Sequence, residues 1–248
     1  MSNEVSHVVL GATGGIGAAL SRLLRSAGAR VTVAGRDPEK VAALANEIGA
    51  HGTVVDARDP TAVEACLADA IARDGRVDGI ACCVGSLLLK PAHLTSEEDW
   101  AATIATNLGS GFATVRAAGK LMARGGGSVV LVSSAAARHG LANHEAIAAA
   151  KAGLVGLALS AAATYAARGL RVNCVAPGLV HTPMTERLLA TEAGRKASVA
   201  MHPLGRIGEP DDVARAIAWL LDPAQSWVTG QVLGVDGGLA SIRPRAGG

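Results

Sequence analysis

A run with strand character, HVVLG at residues 7–11, passes without a linker into GATGGIG at residues 11–17 and then into a helical pattern over 16–27. Gly11, Gly15 and Gly17 allow a tight turn, close backbone approach to an anionic ligand and close helix–strand packing, with Thr13 and Ile16 completing the turn. The first amides of the helix would meet that ligand with unpaired N–H donors and positive dipole character. A glycine-rich turn by itself is a weak signal. Placed between a first strand and a first helix, it points to a parallel α/β sheet that holds a pyrophosphate.

The rest of the chain keeps the same alternation. Further strand runs fall at 30–35, 52–56, 78–85, 128–134, 171–177 and 231–237, and helical stretches near 38–48, 60–73, 96–123, 146–168 and 211–221. Apolar runs without strict alternation suit strands covered on both faces. The expected architecture is therefore α/β: one Rossmann-like, doubly wound parallel sheet of about seven strands, helices on both faces, in a single domain over residues 1–248. Residues 178–210 show no clear period and are expected to form a mobile substrate loop with short helices. The tail ASIRPRAGG is expected to fray or to meet an oligomer surface.

Half of the residues are apolar but only 2% are aromatic, so alanine and glycine must carry much of the packing. The net charge of +2, with no basic stripe interleaved with aromatics, argues against a nucleic-acid partner. The N-terminus has no basic segment followed by an apolar one, and no 18-residue apolar stretch is free of glycine and charge. A soluble, cytoplasmic protein with no membrane partner is expected. Cys66, Cys82, Cys83 and Cys174 lack metal-ligand spacing and read as core thiols, so no metal site is expected.

The second strand ends in VAGRDPEK. A carboxylate at its tip would hold a ribose 2′-hydroxyl and favour NAD. Gly35 stands there instead and Arg36 follows, so a 2′-phosphate would meet a guanidinium. NADP(H) is the expected cofactor in preference to NAD.

With these features in view, the chain resembles the short-chain dehydrogenase/reductase family over nearly its whole length. LGATGGIG is similar to the family's Thr-Gly-x-x-x-Gly-Ile-Gly turn, with Leu10 in place of the threonine. Asp56 and Ala57 resemble the pair that contacts adenine. CCVG at 82–85 stands where Asn-Asn-Ala-Gly is usual, which places Cys82 and Gly85 at the cofactor. Asn107 matches the asparagine of the fourth helix. APGLVHTPM resembles the loop that holds the nicotinamide carboxamide, through Pro177, Val180 and Thr182. PLGRIGEPDDVARAIAWLL and TGQVLGVDGG resemble the C-terminal third.

The resemblance implies a Ser-Tyr-Lys centre. Ser134 lies thirteen residues before position 147, the family's serine–tyrosine spacing, and Lys151 follows at the family's lysine position, but position 147 is isoleucine. In the family pattern, the tyrosine exchanges a proton with the substrate oxygen. The lysine lowers the phenol's pKa and binds the nicotinamide ribose, the serine bonds the substrate oxygen, and the asparagine holds a water that links the lysine to solvent. Isoleucine can exchange no proton, and losing a positioned acid typically removes ~10²–10⁴ in rate. Tyr165, the one tyrosine, lies roughly 20 Å further along the helix at 1.5 Å per residue.

His144, seven residues before Lys151, stands where the family's enoyl-reductase branch carries its tyrosine and is the candidate donor, with a capping or surface role as the bland alternative. Glu145 adjoins it, and His139, His181 and His202 are expected on loops that border the same cleft. Reduction of a conjugated C=C, with its proton taken from water, would demand less of such a site than ketone reduction. The expected substrate is a small molecule or acyl thioester, either a carbonyl or a conjugated enoyl compound (3-oxoacyl and enoyl thioesters included). The pocket walls are drawn from 86–95, 135–146 and 181–204, with Lys90 at the rim either solvated or facing an anionic substrate. Ser134, Lys151, Asn107 and His144 are the catalytic candidates. A catalytically impaired partner subunit that binds cofactor and pairs with an active paralogue is the second reading, and an NADPH-sensing regulator the third. Small residues on the fourth and fifth helices fit the family's four-helix interface, so a homotetramer or homodimer is expected, or a hetero-oligomer with a paralogue.

Overall fold

A computed structural model describes residues 4–122 and 125–243. Seven strands form one parallel sheet: β1 (Ser6–Leu10), β2 (Arg30–Gly35), β3 (His51–Val54), β4 (Gly79–Cys82), β5 (Gly127–Val132), β6 (Leu170–Pro177) and β7 (Val232–Val235). Their order is β3-β2-β1-β4-β5-β6-β7. The chain winds one way from β1 to β3 and the other way from β4 to β7, which opens a crevice beyond the carboxyl ends of β1 and β4. The sheet is doubly wound and Rossmann-like, as the alternation predicts.

The helices are α1 (Gly15–Ser26), α2 (Pro38–Ile48), α3 (Pro60–Asp74), α4 (Glu97–Ile104), α5 (Ser110–Leu121), α6 (Glu145–Tyr165), α7 (Glu186–Leu189), α8 (Glu192–Ala200) and α9 (Pro210–Leu221). Helices α1, α2 and α9 cover one face of the sheet, where Val9, Leu20, Val33, Val130, Ile217 and Leu220 are buried together. Helices α3, α5 and α6 cover the other, around Val8, Leu67, Ile80, Leu131, Leu154 and Val172. The central strands are buried along their length, which is why they read as unbroken apolar runs. Aspartate caps followed by proline start α2 and α3: Asp37 accepts from Glu39 N and Lys40 N, and Asp59 accepts from Thr61 N.

Several boundaries differ from the sequence expectation. The 52–56 strand is displaced to the sheet edge at His51–Val54, largely exposed, and the strands expected at 78–85 and 231–237 are shorter. The single helix expected over 96–123 is divided, because a π-helical turn, Ala105–Gly109, separates α4 from α5. Its expected last residue, Ala123, lies outside the described residues, as do residues 1–3 and 244–248 of the N-terminus and tail. The 178–210 segment holds the expected short helices, α7 and α8.

Close approach by small residues is realised. An added Cβ on Gly111 of α5 would overlap Leu154 of α6, and one on Gly119 would lie 2.5 Å from the Tyr165 ring. Tyr165 is therefore packed against the far end of α5. Among the described residues, one helical stretch, Glu145–Arg168, is long and apolar enough to cross a membrane. In this fold it is a core helix, with Leu154, Ala158, Ala161 and Ala162 buried against the sheet and α5.

The first turn holds the tightest approach of backbone to backbone. A Cβ on Gly17 would overlap the Gly11 carbonyl and lie 2.8 Å from the Ala12 Cα, both backbone atoms that cannot swing aside. Gly17→Ala is expected to cost about 1–3 kcal/mol of stability, read as a lower urea midpoint at unchanged m. An unchanged midpoint would contradict the packing described.

Candidate active site

Three adjoining cavities run along the carboxyl edge of the sheet. The first, about 360 Å³, lies between the ends of β1, β2 and β3, and its walls include Gly11, Thr13, Gly35, Arg36, Asp56 and Ala57. The second, about 360 Å³, runs from Thr13–Gly17 past Cys83–Leu87 and Val132–Ser134 to Ile147, Lys151, Pro177, Val180 and Thr182. The third, about 350 Å³, shares Ser134, Ile147, Pro177 and Met184 with the second and continues among apolar side chains. Elements distant in sequence converge here because every strand of a parallel sheet delivers its following loop to the same edge.

At the head of α1 the chain has an anion cradle. Gly14 caps the helix with no side-chain bond, and no acidic residue stands in the first turn. The first N–H groups are left free, and the dipole favours negative charge there. Thr182 closes over the turn: a Cβ on Gly15 would lie 2.7 Å from its Cγ2. The Thr182 amide is held in turn by the Thr185 hydroxyl at 3.0 Å.

Three cations surround the far end of the first cavity. Arg36 is joined by Lys40 and Arg58, neither of which the sequence reading singled out. Arg58 reaches back to Asp56 with a two-pronged bond, 3.0 Å from Nε and 2.6 Å from Nη2. That bond, aided by the Arg58 amide and the charge of Arg36, lowers the Asp56 carboxyl to about 2. The fit to a phosphorylated adenosine is good: a cradle of free amides on one side and guanidinium and ammonium groups on the other.

Lys151 occupies the middle of the second cavity, 6% exposed. Its Nζ donates to the Val132 carbonyl at 2.8 Å, and its own carbonyl accepts from the Ser133 hydroxyl at 2.8 Å. Burial outweighs the pull of nearby thiols and lowers the ammonium to about 8. Ser134 caps a short helical turn and accepts from Ala136 N at 3.1 Å, so its hydroxyl proton stays free to donate. Ile147, 4% exposed, lies one helical turn from Lys151 and forms the wall between the second and third cavities. No phenol reaches this position.

Asn107 sits in the π-helical turn, fully buried. Its Nδ2 donates to the Ser86 hydroxyl at 2.9 Å and the Thr103 carbonyl at 3.0 Å, and its Oδ1 accepts from Ser86 N at 3.1 Å. It meets the cleft at Gly85, where an added Cβ would lie 3.1 Å from Asn107 Oδ1 and 3.4 Å from Lys151 Nζ. His144 is half-buried at the start of α6 and lines the third cavity. Its Nδ1 lies 2.7 Å from the Ala142 carbonyl, which can only accept, so that nitrogen carries the proton and Nε2 is free.

Some expectations are corrected. Cys82 points into the core, 3.6 Å from Ser110 Oγ, and its neighbour Cys83 lines the cleft, because successive residues of a strand face opposite ways. Burial raises the Cys83 thiol above its ordinary value. His202 faces a separate cavity beside Gly178 and Asp236. Its Nε2 accepts from Leu179 N at 3.1 Å and its Nδ1 donates to the Ser198 carbonyl at 2.7 Å, so the ring is a structural brace. His139 lies beside Arg243, and His181 is 3.9 Å from Glu209; neither lines the three cavities. Lys90 is bonded to Asp99 at 2.7 Å and is not a free cation at the rim.

A family profile described as Enoyl-(Acyl carrier protein) reductase matches residues 11–240. The chain is 38% identical over 241 residues to a cis-4-hydroxycyclohexanecarboxylate dehydrogenase of Sinomonas cyclohexanicum, covering 95% of this chain and 96% of that protein. It is 35% identical over 240 residues to a 3-oxoacyl-(acyl-carrier-protein) reductase FabG of Thermotoga maritima, covering 94% and 96%. Among solved structures, a short-chain type dehydrogenase/reductase from Mycobacterium ulcerans matches with a TM-score of 0.91 at 31% identity, covering 98% of this chain and 92% of that one. An actinorhodin polyketide ketoreductase with NADPH matches with a TM-score of 0.90 at 30% identity, covering 97% and 98%.

The buried ammonium gives a pH test. Below about 8, Lys151 is charged in folded and unfolded chains alike and its burial opposes folding in full. Between about 8 and the ordinary value of 10.5, the folded chain sheds the proton first, so stability rises with pH. Cofactor-free protein should gain on the order of 2–4 kcal/mol across that window relative to Lys151→Met, whose profile lacks this rise. Parallel urea-unfolding profiles for the two proteins would contradict it.

Proposed function

The chain belongs to the short-chain dehydrogenase/reductase family, and we propose that it is an NADP(H)-dependent oxidoreductase acting on a carbonyl or conjugated enoyl compound with a proton source other than a phenol. The observation that carries this reading is the pair of adjoining cavities that run from the Arg36 cluster past the α1 cradle to Ser134, Lys151 and the wall made by Ile147. The NADPH in one solved relative and the oxoacyl substrate in the name of another are in keeping with it.

In this reading Gly11, Thr13, Gly15, Ile16 and Gly17 cradle the pyrophosphate, Arg36 with Lys40 and Arg58 takes the 2′-phosphate, and Asp56 and Ala57 border the adenine. Gly85, Pro177, Val180 and Thr182 enclose the nicotinamide half. When bound, the nicotinamide supplies or accepts a hydride. Ser134 donates a hydrogen bond from its free hydroxyl to the substrate oxygen. Lys151 uses one N–H on Val132 and keeps two for the ribose hydroxyls, while its charge favours negative charge developing nearby. Asn107 acts by fixing Ser86 and the floor beside Gly85.

His144 is the proton-exchanging group. With Nδ1–H held by Ala142, the neutral ring presents an acceptor at Nε2, suited to take a proton from an alcohol, and the imidazolium returns it in the reductive direction. For a conjugated enoyl substrate, Ser134 would hold the oxygen on which negative charge develops, and water would supply the proton for the α-carbon.

The second reading is a partner subunit. It draws on the apolar Ile147 wall and on Phe112 of α5 and Leu159 of α6, each about half exposed on neighbouring helices. Turnover by the purified chain alone separates the two.

Calorimetry should find NADPH bound at least ~10-fold more tightly than NADH, and Arg36→Ala should remove most of that difference by deleting a charge-assisted pair. Equal affinities would sink the cofactor assignment. In an NADPH-oxidation screen of ketones, 3-oxoacyl and enoyl thioesters, His144→Ala should cut turnover ~10²-fold or more while NADPH still binds. Ile147→Tyr should raise ketone reduction. Unchanged turnover in the first variant rejects the histidine, and no gain in a folded second variant shows that the wall has other work.

A further inference from the structure

Beyond Ile147, the third cavity is walled by Leu87, Leu141, Leu179, Leu188, Met201 and Leu239. Among the described residues, no aspartate, glutamate, lysine or arginine lines it. Lys90 and Arg206, on the two loops that flank it, are engaged with Asp99 at 2.7 Å and Asp212 at 2.6 Å. Arg187, Arg195 and Lys196 on the 178–210 segment are exposed and outside its walls.

Its polar side chains number four, and they are unequal. The Thr185 hydroxyl already bonds the Val180 carbonyl and the Thr182 amide. Ser198 adds one hydroxyl from α8. Ser134, at the junction with the second cavity, has a proton to give, and His144 has a free Nε2. Polar recognition is thus concentrated where the cavity meets Ile147, and the remainder offers apolar surface.

Given the nicotinamide reading of the neighbouring cleft, we infer that this cavity takes a neutral, compact, apolar carbonyl compound, an alicyclic ketone or enone, with its oxygen at Ser134. It excludes carboxylates, phosphates and polyols. At the roughly 30 Å³ that a small molecular unit occupies in a liquid, 350 Å³ accommodates about a dozen heavy atoms. An ionised carboxylate would be stripped of water with no cation to receive it, and a polyol would bury hydroxyls with too few partners. Apolar rings gain with every methylene buried, about fourfold in affinity each.

Calorimetric titration of the full chain, with saturating NADP and again without it, tests this with cyclohexanone, 2-decalone, 4-oxocyclohexanecarboxylate and the methyl ester of that acid. 2-Decalone should bind more tightly than cyclohexanone, and the free acid at least ~100-fold more weakly than its ester. Leu141→Arg, which places a guanidinium in the wall, should reverse the order of acid and ester. Wild-type protein that binds the acid as well as the ester, or that binds no neutral ketone, overturns the inference. A parallel NADPH titration keeps the two readings apart. NADPH binding without ketone binding removes the substrate class alone; ester-over-acid selectivity without NADPH binding removes the cofactor assignment and leaves the selectivity standing.

Discussion

Lys151 carries a positive charge into an interior of alanine, leucine and cysteine side chains, and the arrangement of the cleft follows from how that charge is held. One N–H reaches the Val132 carbonyl at the end of β5, and the Lys151 carbonyl receives the Ser133 hydroxyl. These two bonds fix the first turns of α6 against β5 and so determine where Ser134 and Ile147 stand. Burial of the ammonium opposes folding, which is why its affinity for the proton falls. A polar ligand that offers acceptors to its other two donors would relieve that cost, so binding and stability are coupled at this residue.

Across the cleft, Asn107 and Gly85 complete the frame. The π-helical turn adds a residue to the α4–α5 register and turns the asparagine amide toward Ser86 instead of solvent. Gly85 is small because two polar groups crowd the space a side chain would fill. The cleft floor is thus tied by side-chain bonds, while its roof, from Pro177 to Thr185, is tied by Gly178 N to the Val235 carbonyl, Leu179 N to His202, His181 N to the Gly208 carbonyl and the Thr185 hydroxyl to the Val180 carbonyl.

What the sequence made legible was periodic or local. Unbroken apolar runs identified the buried strands, and the glycine turn identified the crevice, since both depend on neighbours in the chain. The edge strand His51–Val54 was misplaced because its exposed residues carry no apolar signal. The division of the helix at Asn107 was missed because a π turn changes the hydrogen-bond register without changing composition. Cys82 and Cys83 were transposed for want of the strand's phase, which only the pairing of Cys82 with Leu10 and Leu131 fixes. Lys40 and Arg58 join Arg36 through folding alone, and His202 left the cleft because its ring nitrogens are consumed by Leu179 and Ser198. With hindsight, the Asp-Ala-Arg run at 56–58 held the one readable hint of the ion pair.

In the proposed reading, isoleucine at 147 leaves the chemical burden to other groups. The wall made by Ile147 is apolar, and it faces a cavity of the same character. Ser134 and His144 are left as the polar groups at that boundary, with Lys151 behind them. A crystal grown with NADPH tests this account most directly. It predicts the 2′-phosphate against Arg36, the pyrophosphate at the head of α1, a ribose hydroxyl within about 3 Å of Lys151 Nζ and the nicotinamide ring beside Ile147. A crevice left empty, or a nucleotide seated with its ribose away from Lys151, would contradict it.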